Sequence, residues 1–325
     1  MEKLKPMDLR IIYRSNHSQL ALLTIMREAG IWDRVGIGVK DLRLFRDATE
    51  SENELISGNV DLIFGCHITP HIRVAEKVPI VCLAQTVNIA DDLLVSREPI
   101  ADLKQLEGKV IAGQKLFRGE GHLSSHPRGT HELYLKRAGT DSSRMDFQEP
   151  PEQENAHEAV AGGRADAAFV SSSSDLACRK AGLKILPMGK FPMVNSITFT
   201  TLLPTVQENP EMVRRVIRGL ALGVHFFKTQ KDKTLAILSE HVASRFHIED
   251  DQALLRFYER SASALEPKLY PQWDSVLNAF KIAELVRPGL ASEVNPLELW
   301  DLHFVREINQ SGFIRDLYQG TGVAI

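Results

Sequence analysis

Four short stretches of this chain gather side chains that can hold or transform a small polar molecule. Ser15-Asn16-His17 and Cys66-His67-Ile68-Thr69 each join an imidazole to hydroxyl, amide or thiol groups, and His71 lies four residues beyond His67. Arg128-Gly129-Thr130-His131 joins a guanidinium to a hydroxyl at the start of a helical pattern over 130–138. Ser171-Ser172-Ser173-Ser174 is a run of four hydroxyls, and Asn195 adds an amide that could floor a cleft. The Arg128 stretch has the clearest chemistry. The free N–H groups and positive dipole end of a helix favour an anion, a guanidinium can grip two oxygens at once, and Thr130 can donate its hydroxyl. A carboxylate or sulfonate suits that set. In the competing reading Thr130 only caps the helix and Arg128 is solvated, and the serine run reads equally well as a polar turn.

His17 and His67 are candidate ligand contacts and, if the chain is an enzyme, candidate acid/base groups. Cys66 stands beside His67, and a thiol next to an imidazole can become a nucleophilic thiolate. A free cysteine is more commonly a small, inert core residue, and that reading of Cys66 is the favoured one. His67/His71 and His122/His126 have the spacing that puts two metal ligands on one helical face, with His17 and His131 able to converge on them. No HExxH-type phrase accompanies them; Pro70 interrupts the first pair and Pro127 follows the second. They are weak metal candidates, and neither a metal nor another cofactor is expected.

The elements that must position these tips come from a unit that occurs twice. Ser57-Gly58-Asn59-Val60-Asp61-Leu62-Ile63-Phe64-Gly65 is echoed by Gly162-Gly163-Arg164-Ala165-Asp166-Ala167-Ala168-Phe169-Val170. In each copy a Gly ends a helical run, an apolar strand follows an Asp, and a polar tip closes the strand. A further helical stretch and a further strand follow, over 78–83 in one copy and 183–188 in the other. Strands are also expected over 8–13, 38–45, 93–96 and 195–201. A long loop over 114–129 precedes the helix of 130–138. From Asn209-Pro210 onward the pattern is helical, with Val213, Val216, Ile217, Leu220 and Val224 on one apolar face. These elements predict two α/β lobes, residues 1–92 plus 201–325 and residues 93–200, joined by crossing strands. In open α/β sheets ligands bind beyond the carboxyl ends of the strands, which selects the four tips.

Composition sets the outer bounds. A chain of 325 residues, 43% hydrophobic and 25% charged, is that of an ordinary globular protein with a large core. A net charge of -3 and the lack of a long basic stripe speak against a nucleic-acid partner. Three scattered cysteines make no disulfide framework. No apolar run reaches the length of a membrane span, so no membrane insertion is expected. Met1-Glu2-Lys3-Leu4-Lys5-Pro6-Met7-Asp8 carries no secretory signal pattern, so a cytoplasmic location is expected, or a periplasmic one if the true start lies upstream.

The order of elements and several phrases resemble the type II periplasmic-binding-protein-like family, in the branch of sulfonate receptors and thiamin-pyrimidine synthases. The phrases are residues 13–23 after the first strand, the paired Gly-x-x-Asp units, Asp102-Leu103 with Leu106-Glu107-Gly108-Lys109, and Asn209-Pro210-Glu211-Met212-Val213. The resemblance implies a two-lobed α/β fold with hinge strands, a helical C-terminal part, and ligand loops at Ser15-Asn16-His17 and the Arg128 stretch. That branch also holds aromatic sulfinate desulfinases, whose nucleophilic cysteine lies where this chain has Asn16-His17. Their chemistry is therefore not implied here.

Two functions remain in view. One is a binding protein that closes its lobes on an anionic ligand, aromatic or not. Its contacts would be Asn16, His17, His67, Thr69, Arg128, Gly129, Thr130, Ser171, Ser172, Ser173 and Asn195. Such a protein serves an ABC permease if exported and is a sensor if cytoplasmic. The other is a cytoplasmic catabolic enzyme (a decarboxylase, desulfinase-like lyase or hydrolase) with His17, His67 or Cys66 at its centre.

Overall fold

The computed structural model describes residues 6–14, 18–119, 122–151, 153–246, 248, 250–323 and 325. Through the first repeat copy the chain forms β1 (Met7–Tyr13), α1 (Ser18–Glu28), α2 (Ile31–Arg34), β2 (Ile37–Leu44), α3 (Ala48–Ile56), β3 (Leu62–Phe64), α4 (Thr69–Ala75) and β4 (Ile80–Ser96). Then come β5 (Val110–Ala112), β6 (Phe117–Gly119), β7 (His122–Leu123), α5 (His126–Arg137) and β8 (Asp146–Gln148). The second copy adds α6 (Ala156–Ala161), β9 (Ala167–Ser171), α7 (Asp175–Lys180) and β10 (Lys184–Leu202). The rest is helical: α8 (Leu203–Glu208), α9 (Pro210–Thr229), α10 (Lys231–His241), α11 (Asp251–Ala264), α12 (Trp273–Val286), α13 (His303–Gln310) and α14 (Phe313–Tyr318). No helix among the described residues is long and apolar enough to cross a membrane.

The chain divides into two units. Unit one is Met1–Asn88, Val194–Ala283 and Gly289–Ile325; unit two is Ile89–Met193 and Glu284–Pro288. In unit one, β2, β1 and β3 run parallel, and β10 joins β3 antiparallel through Phe199↔Phe64 and Thr200↔Ile63. The apolar face of α9 is buried as its 3.6-residue period requires, and α1 packs against it. Gly223 lets the two helices approach: a Cβ there would stand 2.7 Å from Cγ of Met26. In unit two, β9, β5 and β8 are parallel, and β4 lies antiparallel on β9, from Asp92↔Ser171 to Ser96↔Ala167. One face of that sheet packs Leu93, Val95, Ala168 and Val170 against Val160 and Cys178 of α6 and α7.

The two repeat copies fold alike down to single hydrogen bonds. Gly58 (φ 71°) and Gly163 (φ 76°) take the left-handed conformation that closes α3 and α6. Around them Gly58 N bonds Leu55 O and Asn59 N bonds Glu54 O; likewise Gly163 N bonds Val160 O and Arg164 N bonds Ala159 O. Both pairs are the six-to-one and five-to-two bonds of a Schellman cap. The repeated Asp then ties the next strand to its neighbour. Asp61 accepts the N–H of Arg10 at 2.7 Å, and Asp166 accepts the N–H of Val110 at 2.9 Å. Each Asp also returns its own N–H to the carbonyl of that same residue.

Two expectations are corrected. The strands foreseen at 78–83 and 93–96 form one strand, β4, and those at 183–188 and 195–201 form one strand, β10. Polar residues in the middle of each run, such as Gln85, Thr86, Asn88 and Asn195, interrupt the apolar pattern while bonding neighbouring backbone. The helix foreseen at 130–138 begins at His126, because Ser125 caps it and Pro127 fits its first turn. Part of the loop before it pairs as the β6–β7 ribbon.

Candidate functional site

Beyond the carboxyl end of β3, unit one turns inward a connected set of polar side chains. Gly65 (φ 108°) lets the chain leave β3 against Gln19, whose amide nitrogen would stand 2.2 Å from a Cβ at that position. His67 follows and is 4% exposed. Its Nδ1 lies 3.0 Å from Oγ1 of Thr198 on β10, and that hydroxyl donates to Oε1 of Gln85 on β4 at 2.6 Å. Gln85 in turn donates its amide N–H groups to the carbonyls of Val87 and Asn195. Gln19 donates to the carbonyl of Ser196 at 2.8 Å and accepts the N–H of Arg14 at 2.7 Å. Ser196 holds φ at 58°, unusual for a residue with a Cβ, with the Asn195 side chain accepting its N–H at 2.7 Å.

Cys66 and Thr69 point to other duties. Cys66 is buried, and burial pushes its thiol well above the ordinary range, so it stays protonated. Thr69 donates to the buried carboxyl of Glu52, which also accepts Nε of Arg73 at 2.9 Å. Burial pushes Glu52 up, while the bonds from Thr69 and Arg73 pull it down. Arg14 reaches the same region, donating to Phe45 O at 3.2 Å and Ser51 Oγ at 3.1 Å.

In unit two the Arg128 stretch sits inside α5 instead of ahead of it. Ser125 accepts the N–H of Arg128, the carbonyl of Ser125 accepts that of Gly129, and Thr130 donates its hydroxyl to the carbonyl of His126. Arg128 is 4% exposed, and its guanidinium is engaged on several sides. It donates to Gln114 O at 3.1 Å and Glu132 at 3.2 Å, and lies 3.9 Å over the ring of Phe147. Desolvation lowers its pKa and Glu132 raises it. Three of the expected anion donors are thus engaged within the unit.

The other polar end of unit two is aromatic and acidic. His131 stacks on Phe169 at 4.7 Å, and Tyr134 lies parallel to Phe169 and edge-on to Phe191. Asp92 lies 3.4 Å from the Tyr134 hydroxyl, which donates to it, and 3.7 Å from Nε2 of His131. Burial, reinforced by Asp92 and Asp91, pushes the Tyr134 phenol up. Ser171 ends β9 and accepts from Ser173, while Ser172 donates to Asp91 at 3.0 Å. Asp91, Asp92, Tyr134, Phe169, Thr198, Gln85 and Glu52 were not singled out from the sequence. A polar residue inside an apolar run, as Gln85 is, would have been the signal for the buried ones.

Ser15, Asn16 and His17 lie outside the described residues. His67 and His71 are not partners: His71 is buried in α4, edge-on to Phe280 at 5.1 Å, with neither ring nitrogen bonded. His122 belongs to β7 and His126 opens α5, so helical spacing does not relate them. Among the described residues no group of three or more His, Cys, Asp or Glu side chains is placed to hold a metal ion.

No family model and no curated protein matches the sequence. Solved structures do resemble it over nearly its whole length. A putative periplasmic sulfonate-binding protein, SsuA, from Methylobacillus flagellatus KT gives a TM-score of 0.68 at 17% identity, over 95% of this chain and 96% of that one. The periplasmic aliphatic sulphonate-binding protein SsuA from Escherichia coli gives 0.64 at 16%, over 86% and 87%. The periplasmic nitrate-binding protein NrtA from Synechocystis PCC 6803 gives 0.62 at 13%, over 96% and 91%. At such identities the likeness is one of fold. The chain has the type II periplasmic-binding-protein-like fold that its sequence resemblance implied.

Proposed function

We propose that this protein binds a small polar molecule, with His67 as its principal contact in unit one. The observation that carries the reading is the buried chain from His67 through Thr198 to Gln85 beyond the carboxyl end of β3. Burying an imidazole together with the two polar side chains that hold it costs desolvation, and the carboxyl end of a strand is where open α/β sheets meet their ligands. The sulfonate- and nitrate-binding descriptions of structurally similar proteins favour carboxylates and sulfonates as the ligands to try first. Arg128 ranks below His67 as a contact to test, because its guanidinium is already paired with Glu132. An exported protein would deliver its ligand to an ABC permease; one retained in the cytoplasm would act as a sensor.

Thermal-shift screening against carboxylates, sulfonates and aromatic acids, followed by calorimetric titration of each hit, tests this reading. A hit is expected to bind at least tenfold more weakly to His67→Ala, a loss of about 1.4 kcal/mol or more, as for a lost hydrogen bond to a charged group. A hit whose affinity is unchanged in His67→Ala removes His67 from the site. Enzymatic turnover is the second reading, favoured by an imidazole oriented through one ring nitrogen. Product analysis on each hit decides it: conversion that vanishes in His67→Ala would replace the passive receptor.

A further inference from the structure

Arg14 directly follows β1, at the end of the strand where open α/β sheets meet their ligands. Its backbone N–H is held by Oε1 of Gln19, and its Nη1 donates to Phe45 O at 3.2 Å and Ser51 Oγ at 3.1 Å. The Ser51 hydroxyl gives its own proton to the carbonyl of Asp47, so it meets Nη1 with a lone pair. These bonds fix the guanidinium and occupy both hydrogens of Nη1. The other edge has no acceptor. Nε has neither a hydrogen-bond partner nor contact with solvent, and Nη2 makes no bond among the described residues. Arg14 as a whole remains partly exposed, so a ligand can reach it. The nearby carboxylates are engaged elsewhere: Asp47 accepts the N–H of Glu50, and Glu52 accepts from Thr69 and Arg73.

Nε–H and one Nη2–H of a guanidinium point the same way, a side-on fork spaced for two oxygens of one anion. Four residues earlier, Arg10 has that fork filled: its Nε and Nη2 donate to the two carboxylate oxygens of Asp61, at 3.2 and 2.7 Å. Arg14 holds the same fork ready, and no carboxylate among the described residues fills it. A guanidinium cannot shed its charge, so a buried Nε–H without an acceptor costs stability until one arrives. We propose that Arg14 is the charged ligand contact of unit one, taking a carboxylate or sulfonate side-on through Nε and Nη2. That contact deepens the function proposed above, on which it rests, by requiring a ligand with two terminal oxygens on one centre. A monatomic anion or a neutral polar molecule cannot fill the fork. Gln19 ties Arg14 to the polar set around β10, since it holds the Arg14 N–H and donates to the carbonyl of Ser196.

The test titrates the full chain with ethanesulfonate, acetate and benzoate by calorimetry at fixed ionic strength, with chloride as the monatomic control. The tightest of the three oxyanions is expected to bind Arg14→Gln about thirtyfold more weakly or worse, the loss of two hydrogen bonds to a charged group. Arg14→Lys keeps the charge but offers a point donor instead of a fork, so it should recover only part of the affinity. Full recovery in Arg14→Lys would reject the side-on fork. Affinity unchanged in Arg14→Gln overturns the contact, as does failure of all three oxyanions to bind the wild type. His67→Ala is titrated alongside. An oxyanion lost there but kept by Arg14→Gln leaves His67 standing and removes Arg14; the reverse pattern keeps Arg14 and removes His67. Should Arg14→Gln not fold, 15N-arginine spectra of the wild type decide. The Nε–H signal that is missing from Arg14→Lys is expected to move as the oxyanion is added, and a signal that stays in place refutes the contact.

Discussion

Two histidines four residues apart differ in everything that decides what a histidine does. His67 has its Nδ1 3.0 Å from the hydroxyl of Thr198, whereas His71 is wholly buried with neither ring nitrogen bonded and Phe280 edge-on to its ring. Burial holds His71 down at about 3, against 6.5 for a free imidazole. Between those values the unfolded chain takes up a proton that the native chain refuses. The stabilising contribution of neutral His71 is therefore whole above about pH 6.5 and is lost as the pH falls toward 3, by at most about 1.4 kcal/mol per pH unit. From about pH 7 to about pH 5 this one group should cost about 2 kcal/mol. His71→Leu puts apolar atoms where no hydrogen bond existed, so it should fold well and lose that pH dependence. Urea unfolding of both proteins at the two pH values measures the difference. Equal slopes would mean that His71 is not the neutral buried group described here.

At the scale of elements, the repeated Asp is the feature that most clearly serves the same purpose twice. Asp61 and Asp166 each close a two-bond ring with one residue of a neighbouring parallel strand, Arg10 of β1 and Val110 of β5. Asp166→Ala strips the partner from the Val110 N–H and should cost about 1–3 kcal/mol, with Asp166→Asn costing less because its amide oxygen can still accept. Asp61→Ala should lose a similar amount, since its ion pair with Arg10 is half exposed and adds little. Denaturant midpoints report both. The repeated unit was legible in the sequence because it is local, a helix cap, an Asp and an apolar run within ten residues, whereas the bonds of Asp61 and Asp166 to Arg10 and Val110 were not. The α9 face was legible for the same reason. The long strands β4 and β10 were not, because Gln85, Thr86 and Asn88 look like breaks until their partners on distant segments are known. The start of α5 was missed because Pro127 reads as a breaker, although a first-turn proline gives up no helical bond. Sequence placed His67 at a tip but could not give it Thr198, which lies 131 residues away.

For the molecule as a whole, ligand binding and unfolding are linked, and that linkage tests the placement of the site. A ligand that binds only the native state, present at a hundred times its Kd, adds about 2.7 kcal/mol of stability. Unfolding entropy grows with chain length, so if all 325 residues melt together the melting temperature should rise by only about 4 °C. Each unit buries its own core, with Ile12, Ile63 and Cys82 in one and Val95, Ala168 and Val160 in the other, so two calorimetric transitions are a natural outcome. In that case the same 2.7 kcal/mol acts on a smaller cooperative unit and moves its transition further, by about 6 °C if unit one melts alone. The transition that Asp61→Ala lowers is that of unit one, and the one that Asp166→Ala lowers is that of unit two. A ligand held by His67 should move the first of these, and the shift should vanish in His67→Ala. A ligand that moves only the transition lowered by Asp166→Ala binds elsewhere, and the contact proposed at His67 would then be wrong.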